Sequence, residues 1–269
     1  LTALIKSDLG LSNTVMGSLT SIPMLVFALV SAAAPLLSKR VGLGKSISLS
    51  LILVFAGEMI RSFTTTSGVF IGTAILCAGI GIENVLLISV VKQWYPDTPE
   101  PMTSAYSTTM SVSSAISIAI SVSLAQDLGL GWRGALAVWS FFAVMAFLMW
   151  MPEAGSEAMK PAENRGGANV MGALLRSPRT WILTVFFGTQ SMLFYSMNAW
   201  GPTILQHKGY TIAQSTAAMT FLQLVSLPIT FLGPLLARRF TARRMLVILS
   251  AIYLIGGCMF YFAVDPVFT

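Results

Sequence analysis

The sequence predicts an all-α, polytopic membrane protein built from a duplicated helix bundle, on three observations. Of its 269 residues, 55% are hydrophobic and only 10% charged, against roughly 25% charged in soluble domains. Several apolar runs reach the ~20 residues that cross a bilayer core, and none shows the ten-residue alternation of a membrane β-barrel. The chain also repeats itself. Pro35-Leu36-Leu37-Ser38-Lys39-Arg40 returns 199 positions later as Pro234-Leu235-Leu236-Ala237-Arg238-Arg239. At the same offset Gly10-Leu11-Ser12 falls on Gly209-Tyr210-Thr211, Leu25-Val26 on Leu224-Val225, Lys45 on Arg244 and Gly57 on Gly256. Membrane composition explains the leucines but not these landmarks at one ungapped offset. A period this long suits a duplicated membrane bundle rather than a solenoid.

The elements follow in order. Gly10-Leu11-Ser12 reads as a helix start with Ser12 as N-cap. The span it opens, 13–37, contains Pro23 and Pro35, which neighbouring helices tolerate in lipid. Lys39, Arg40, Gly42 and Lys45 are expected in the next loop. A second span covers 46–65, Thr64-Thr65-Thr66-Ser67 links it to a third over 68–92, and Lys92-Gln93-Trp94-Tyr95-Pro96 ends that one. The fourth, 102–125, is rich in serine (Ser104, Ser107, Ser111, Ser114, Ser117, Ser121), and small residues let helices approach closely. The fifth covers 133–151, after Trp132-Arg133. Glu153, Glu157, Lys160, Glu163, Arg165 and Arg176 then mark a polar linker over 152–178. Spans six to eight cover 180–203, 212–236 and 245–264. The expected domains are an N-terminal helical bundle over 1–151 lacking its first helix, the linker, and the first half of a C-terminal helical bundle over 179–269. The repeat asks for a helix upstream of residue 5 and for a counterpart of residues 71–151 after Thr269, so the chain is expected to be a fragment.

Charge sets the orientation. The loops with Lys39, Arg40 and Lys45 and with Arg238, Arg239, Arg243 and Arg244 fall on one side, together with Arg176 and Arg179. The opposite loops hold mainly Arg133 and Lys208. The positive-inside rule makes the first set cytoplasmic. The net charge of +6 is therefore a topology signal and no argument for a nucleic-acid partner. Cys77 and Cys258 sit inside apolar runs and read as small core residues. With the first helix restored, the order becomes six helices, a cytoplasmic linker and six helices, in the cell's cytoplasmic membrane.

Two six-helix halves, with a basic loop between helices two and three and again between eight and nine, resemble the major facilitator superfamily. Pro35 to Lys45 resembles its loop motif. Arg40 and Gly42 match, while Lys39 stands at the expected Asp and Pro35 at the first Gly. A narrower resemblance, to the cyanate-permease branch that also includes nitroimidazole exporters, is carried by several stretches. These are Gly57 to Arg61, Gly79-Ile80-Gly81-Ile82-Glu83-Asn84-Val85-Leu86, Val91-Lys92, Arg179-Thr180-Trp181, Phe187-Gly188, Tyr195 and Ala199-Trp200-Gly201-Pro202. In the last, Gly201 departs from the branch's Trp-Leu-Pro. The resemblance implies a major facilitator fold of two six-helix bundles, with about eight of twelve transmembrane helices (two to nine) in this chain. It implies a secondary active transporter of a small, often anionic solute, cyanate-like or a carboxylate, working by alternating access as a monomer without a cofactor. Efflux of small neutral heterocycles or drugs is the runner-up. The antiporter Gly-Pro-Gly-Gly pattern is absent from residues 102–125, which weighs against efflux.

Ionisable side chains inside a spanning helix cost about 2.5–3.5 kcal/mol each on insertion scales, so they are functional or paired. Arg61 lies near the outer end of its helix with Glu58 on the same face. The pair is either a local neutralising ion pair or a cavity-facing guanidinium that attracts an anion, for which its planar fork is suited. Glu83 and Asn84 lie mid-helix after Gly79 and Gly81. Glu83 is either a proton carrier for a proton-coupled cycle or a hydrogen-bonded packing residue. Gln190, Tyr195 and Asn198 are substrate-orienting groups or interhelical hydrogen-bond glue. Trp200 is a substrate contact or an interfacial anchor. Gln223 reads as glue, and His207 as solvated in an outer loop. No Gly-x-Ser-x-Gly, His-x-x-x-His or phosphate-binding loop supports an enzyme. A channel or structural membrane protein is the different-class alternative, which flux saturation and counter-transport would separate from a carrier.

Overall fold

The computed structural model describes residues 2–63, 65–156, 159, 172, 176–237 and 242–263. Nine helices appear among them: α1 Thr2–Asp8, α2 Asn13–Val41, α3 Leu43–Phe63, α4 Thr66–Trp94, α5 Pro99–Gln126, α6 Gly131–Ala154, α7 Pro178–His207, α8 Ile212–Ala237 and α9 Ala242–Ala263. No strand occurs among the described residues. The N-cap read at Ser12 is realised, with its hydroxyl accepting the Val15 N–H at 3.3 Å. The loop expected over residues 38–45 is much shorter than the charges suggested. Lys39 and Arg40 belong to the last turn of α2 and Lys45 to the first turn of α3, with Gly42 alone between the helices. Gly42 adopts φ +92°, a conformation open to glycine, and its N–H closes the turn on Ser38 O at 3.0 Å. The two cations stay helical because the negative end of the helix dipole favours them there.

The repeat reappears as geometry. α1 ends at Asp8 and α7 at His207; α2 begins at Asn13 and α8 at Ile212; α3 begins at Leu43 and α9 at Ala242. Each pair stands 199 positions apart. Gly10 (φ +61°) and Gly209 (φ +94°) turn the chain at equivalent points. Leu11 N–H donates to Lys6 O at 3.0 Å, and Tyr210 N–H to Leu205 O at 3.2 Å. Met16 N–H donates to Ser12 O as Ser215 N–H does to Thr211 O, at 3.0 and 2.9 Å. The second copy adds a reciprocal cap, in which Gln214 Oε1 accepts from Thr211 N–H and Thr211 Oγ1 from Gln214 N–H.

The chain divides into two compact units, residues 1–99 with 116–165 and residues 100–115 with 166–269, so that α5 contributes to both. In the first unit α3 packs on α4 and α6, and α2 packs on α4. Glycines set the α3–α4 approach. A Cβ on Gly72 would stand 2.6 Å from Arg61 N and 2.7 Å from Gly57 O, and one on Gly79 would stand 2.6 Å from Ser50 O. Ala34, Ile47, Leu51, Ile82, Leu86 and Val90 form the core behind this crossing. Three tryptophans of α6 each donate the indole N–H to a different helix: Trp132 to Asp8 Oδ2 (2.9 Å), Trp139 to Ser121 Oγ (3.1 Å) and Trp150 to Gly44 O (3.0 Å). In the second unit α7 packs on α8.

Much of the outer surface is apolar, with Leu29 and Met149 each 75% exposed. Patches of this kind are tolerated in contact with lipid and are a liability in water. Thr14–Val41, Leu43–Phe63, Thr66–Trp94 and Gly131–Ala154 are long and apolar enough to cross a membrane. Helices α5 and α7 have 28 and 30 residues, a sufficient length, with more polar side chains.

Candidate functional site

Glu58 and Arg61 form the ion pair that their spacing allows. Arg61 Nη2 donates to Glu58 Oε1 at 3.1 Å. Arg61 Nε lies 3.0 Å from Oε2 but is not aligned to donate to it. The two side chains are 21% and 6% exposed. Gly57 and Gly72 put them there, because α4 comes so close to α3 that Arg61 Cβ would meet any side chain at Gly72. A guanidinium has five N–H donors, and one of Arg61's is hydrogen-bonded among the described residues. Ser62, the next residue, is fully buried, and its hydroxyl has no partner among the described residues.

Glu83 is half-buried on α4, with Asn84 half-buried beside it. Ser50 Oγ lies 3.2 Å from Glu83 Oε1 and 2.7 Å from Ile47 O. Gly79, one turn earlier, has no side chain to hold α4 off Ser50. A hydroxyl carries a single proton, so Ser50 cannot donate fully to both oxygens at once. Ser50 escaped the sequence reading, since nothing local distinguishes it from the other serines of α3.

The α7 residues are arranged differently. With 3.6 residues per turn, Asn198 is about 80° and Tyr195 about 140° around the helix from Gln190, and Trp200 falls on another side. All four are exposed within their unit. Asn198 Nδ2 donates to Phe194 O of its own helix at 2.8 Å, so this bond is neither interhelical glue nor a free donor. Gly201 is buried, and a Cβ there would stand 2.9 Å from Met219 Sδ. The α7–α8 contact therefore occupies the space where the branch's usual leucine would sit. His207 closes α7 rather than lying in a loop, because the helix runs on past Pro202.

Of the basic set, Lys39, Arg40, Lys45 and Arg244 are exposed. Arg238 and Arg239 lie outside the described residues, as does most of the linker. Arg243 is helical, and nothing is described of its side chain or of Gln223's. No group of His, Cys, Asp or Glu able to hold a metal occurs among the described residues. The sequence reading also passed over Asp8. Its signal was isolation, since it is the only acid before Glu58.

Residues 1–268 match the Major Facilitator Superfamily. Over 255 residues the chain is 38% identical to the uncharacterized transporter YycB of Bacillus subtilis (strain 168), covering 94% of this chain and 63% of that protein. It is 33% identical over 258 residues to the 2-nitroimidazole transporter of Escherichia coli (strain K12), covering 94% and 65%. It is 25% identical over 252 residues to the cyanate transport protein CynX of the same organism, covering 93% and 65%. The chain thus spans a little under two thirds of the length of the curated relatives it matches.

Proposed function

The chain belongs to the Major Facilitator Superfamily, and from that membership we propose that it is part of a secondary active transporter that moves a small anionic solute across the cytoplasmic membrane by alternating access. The observation that carries the anion reading is Arg61. It is a largely buried guanidinium, held at one edge by Glu58, with most of its N–H donors unused among the described residues. Such a group offers an oxyanion or carboxylate two parallel hydrogen bonds. Gln190, Tyr195 and Asn198 are proposed as polar contacts to the solute, with Trp200 flanking them. Glu83, beside Asn84 and against Ser50, is proposed as the proton carrier, since a proton on its carboxyl supplies the donor that the Ser50 contact lacks. The domain division at the 152–178 linker and the cytoplasmic placement of the basic ends belong to the same proposal, as does a monomer.

A second reading is favoured by one comparison. Identity is higher to the 2-nitroimidazole transporter than to CynX, 33% against 25%, which suits a neutral planar heterocycle. The test is uptake and efflux of cyanate, small carboxylates and 2-nitroimidazole by the full-length gene product in vesicles. The anion reading expects saturable cyanate or carboxylate transport that Arg61→Ala abolishes and Arg61→Lys impairs. Normal anion transport by Arg61→Ala removes it. Transport of 2-nitroimidazole alone, unchanged by Arg61→Ala, establishes the second reading.

A further inference from the structure

Beside the proposed Arg61 site, three side chains and one backbone carbonyl from three helices meet in an arrangement that the transport reading leaves unused. Trp132, at the start of α6, is buried. Its indole N–H donates to Asp8 Oδ2, at the end of α1, at 2.9 Å. Arg133 Cζ lies 4.6 Å from the centre of the same indole ring, and Arg133 Nη1 reaches Ser62 O in the last turn of α3 at 3.4 Å. Thus one indole has a carboxylate on its N–H edge and a guanidinium on its face. Each charge polarises the ring in the sense the other favours, so the two contacts reinforce each other. Val69 and Leu136 pack beside Trp132 with Leu4, Ile5 and Leu9 of the α1 segment, while Asp8 itself is exposed. The arrangement ends on the residue next to Arg61.

We propose that Asp8, Trp132 and Arg133 form a clasp that holds the outer end of α3, and with it Arg61, and that Asp8 and Trp132 are positioning residues for that guanidinium. The second half rests on the Arg61 reading above; the clasp itself does not. Arg61 is gripped from two directions. Glu58 fixes the side chain from within α3, and Arg133 fixes the backbone one residue later from α6. Holding the backbone matters because the last turn of a helix lacks onward hydrogen bonds and otherwise frays. Ser62 O is one of these terminal carbonyls, and Arg133 satisfies it.

The test uses a thiol at Ser62 in the full-length gene product. Ser62 is fully buried and its hydroxyl has no partner among the described residues, so Ser62→Cys removes no hydrogen bond among them. With the clasp intact the thiol resists maleimide. Trp132→Phe keeps the ring under Arg133 but loses the N–H, and Asp8→Ala removes the acceptor. Each is expected to raise the labelling rate by about tenfold, as local opening becomes easier. Asp8→Asn keeps an acceptor oxygen but loses the charge, and is expected to fall between the parent and Asp8→Ala. Unchanged labelling in both Trp132→Phe and Asp8→Ala overturns the clasp, whatever Arg61 does. The positioning role is read from kinetics with cyanate as probe. A several-fold rise in KM in Asp8→Ala, with kcat near the parent, supports it. A fall in thermal stability with KM unchanged, in a protein where Arg61→Ala does abolish transport, overturns it. If Arg61→Ala transports normally, the Arg61 reading fails by itself, and the thiol still decides the clasp.

Discussion

Arg61 and Glu58 each make the other tolerable inside a membrane. Removing one member of a buried pair costs about 3–5 kcal/mol, because an uncompensated charge stays behind. The partial exposure of Arg61 places this pair at the lower end of that range. Arg61→Ala is therefore expected to lower stability in detergent as well as transport. Glu58→Gln with Arg61→Gln is expected to recover most of the stability and none of the transport. A double variant that restores neither, measured by thermal unfolding and vesicle uptake, would show that the pair does more than balance charge. Glu58→Gln alone is expected to preserve or tighten anion binding, since it removes the competitor for the guanidinium. At Glu83 the expected result is a separation of functions. Glu83→Gln retains a hydrogen-bonding partner for Ser50 but cannot carry a proton. Solute exchange should persist in it while proton-driven accumulation is lost, and accumulation at the parental level would exclude Glu83 as the carrier.

Among the helices, the α3–α4 crossing depends on having no side chain at three positions. Gly57, Gly72 and Gly79 each lack room for a Cβ against the facing backbone. Backbone cannot step aside as a flexible side chain can. Gly72→Val is expected to cost at least the 1–3 kcal/mol typical of overpacking and to disturb the neighbouring Arg61. Equal unfolding midpoints for Gly72→Val and the parent would show that α4 can shift freely. Capping provides a matched pair across the repeat. Ser12→Ala and Thr211→Ala each remove a side-chain bond at equivalent helix starts, and each is expected to cost ~0.5–2 kcal/mol. The Thr211 hydroxyl accepts from Gln214 N–H and donates to Gln214 Oε1, where the Ser12 hydroxyl accepts one bond, so its substitution should cost more. The reverse order in unfolding measurements would contradict this.

For the whole molecule, orientation and duplication are the properties to test. Neutralising Arg238, Arg239, Arg243 and Arg244 together should weaken the topology signal, since Lys and Arg near the ends of spanning helices set orientation. Cysteine labelling that places residues 238–244 outside in the native protein would reverse the proposed orientation. Residues 10–65 and 209–264 are expected to superpose as equivalent helix pairs. The helix starts and turn hydrogen bonds at the first junction of each copy stand 199 positions apart.

The sequence by itself determined the helices from α2 to α9 and their order, while α1 (Thr2–Asp8) lay outside every span it marked. These depend on local signals: apolar run length, an N-cap at Ser12, and turn glycines at Gly10 and Gly209. The same locality exposed the Glu58–Arg61 pair, because residues three apart on a helix are neighbours before any tertiary contact forms. What the sequence overestimated was the basic loop. Charges at Lys39 and Arg40 looked like connecting chain, whereas one glycine at positive φ closes the whole turn. The tertiary structure alone decided which polar groups meet. Ser50 and Glu83 are 33 residues apart in sequence, and Asp8 and Trp132 are 124 apart. Small residues in a sequence announce that helices can approach, but not which helices or at what register. That choice is made by packing α3 against α4 and α6, and only then does an isolated aspartate acquire an indole to hold.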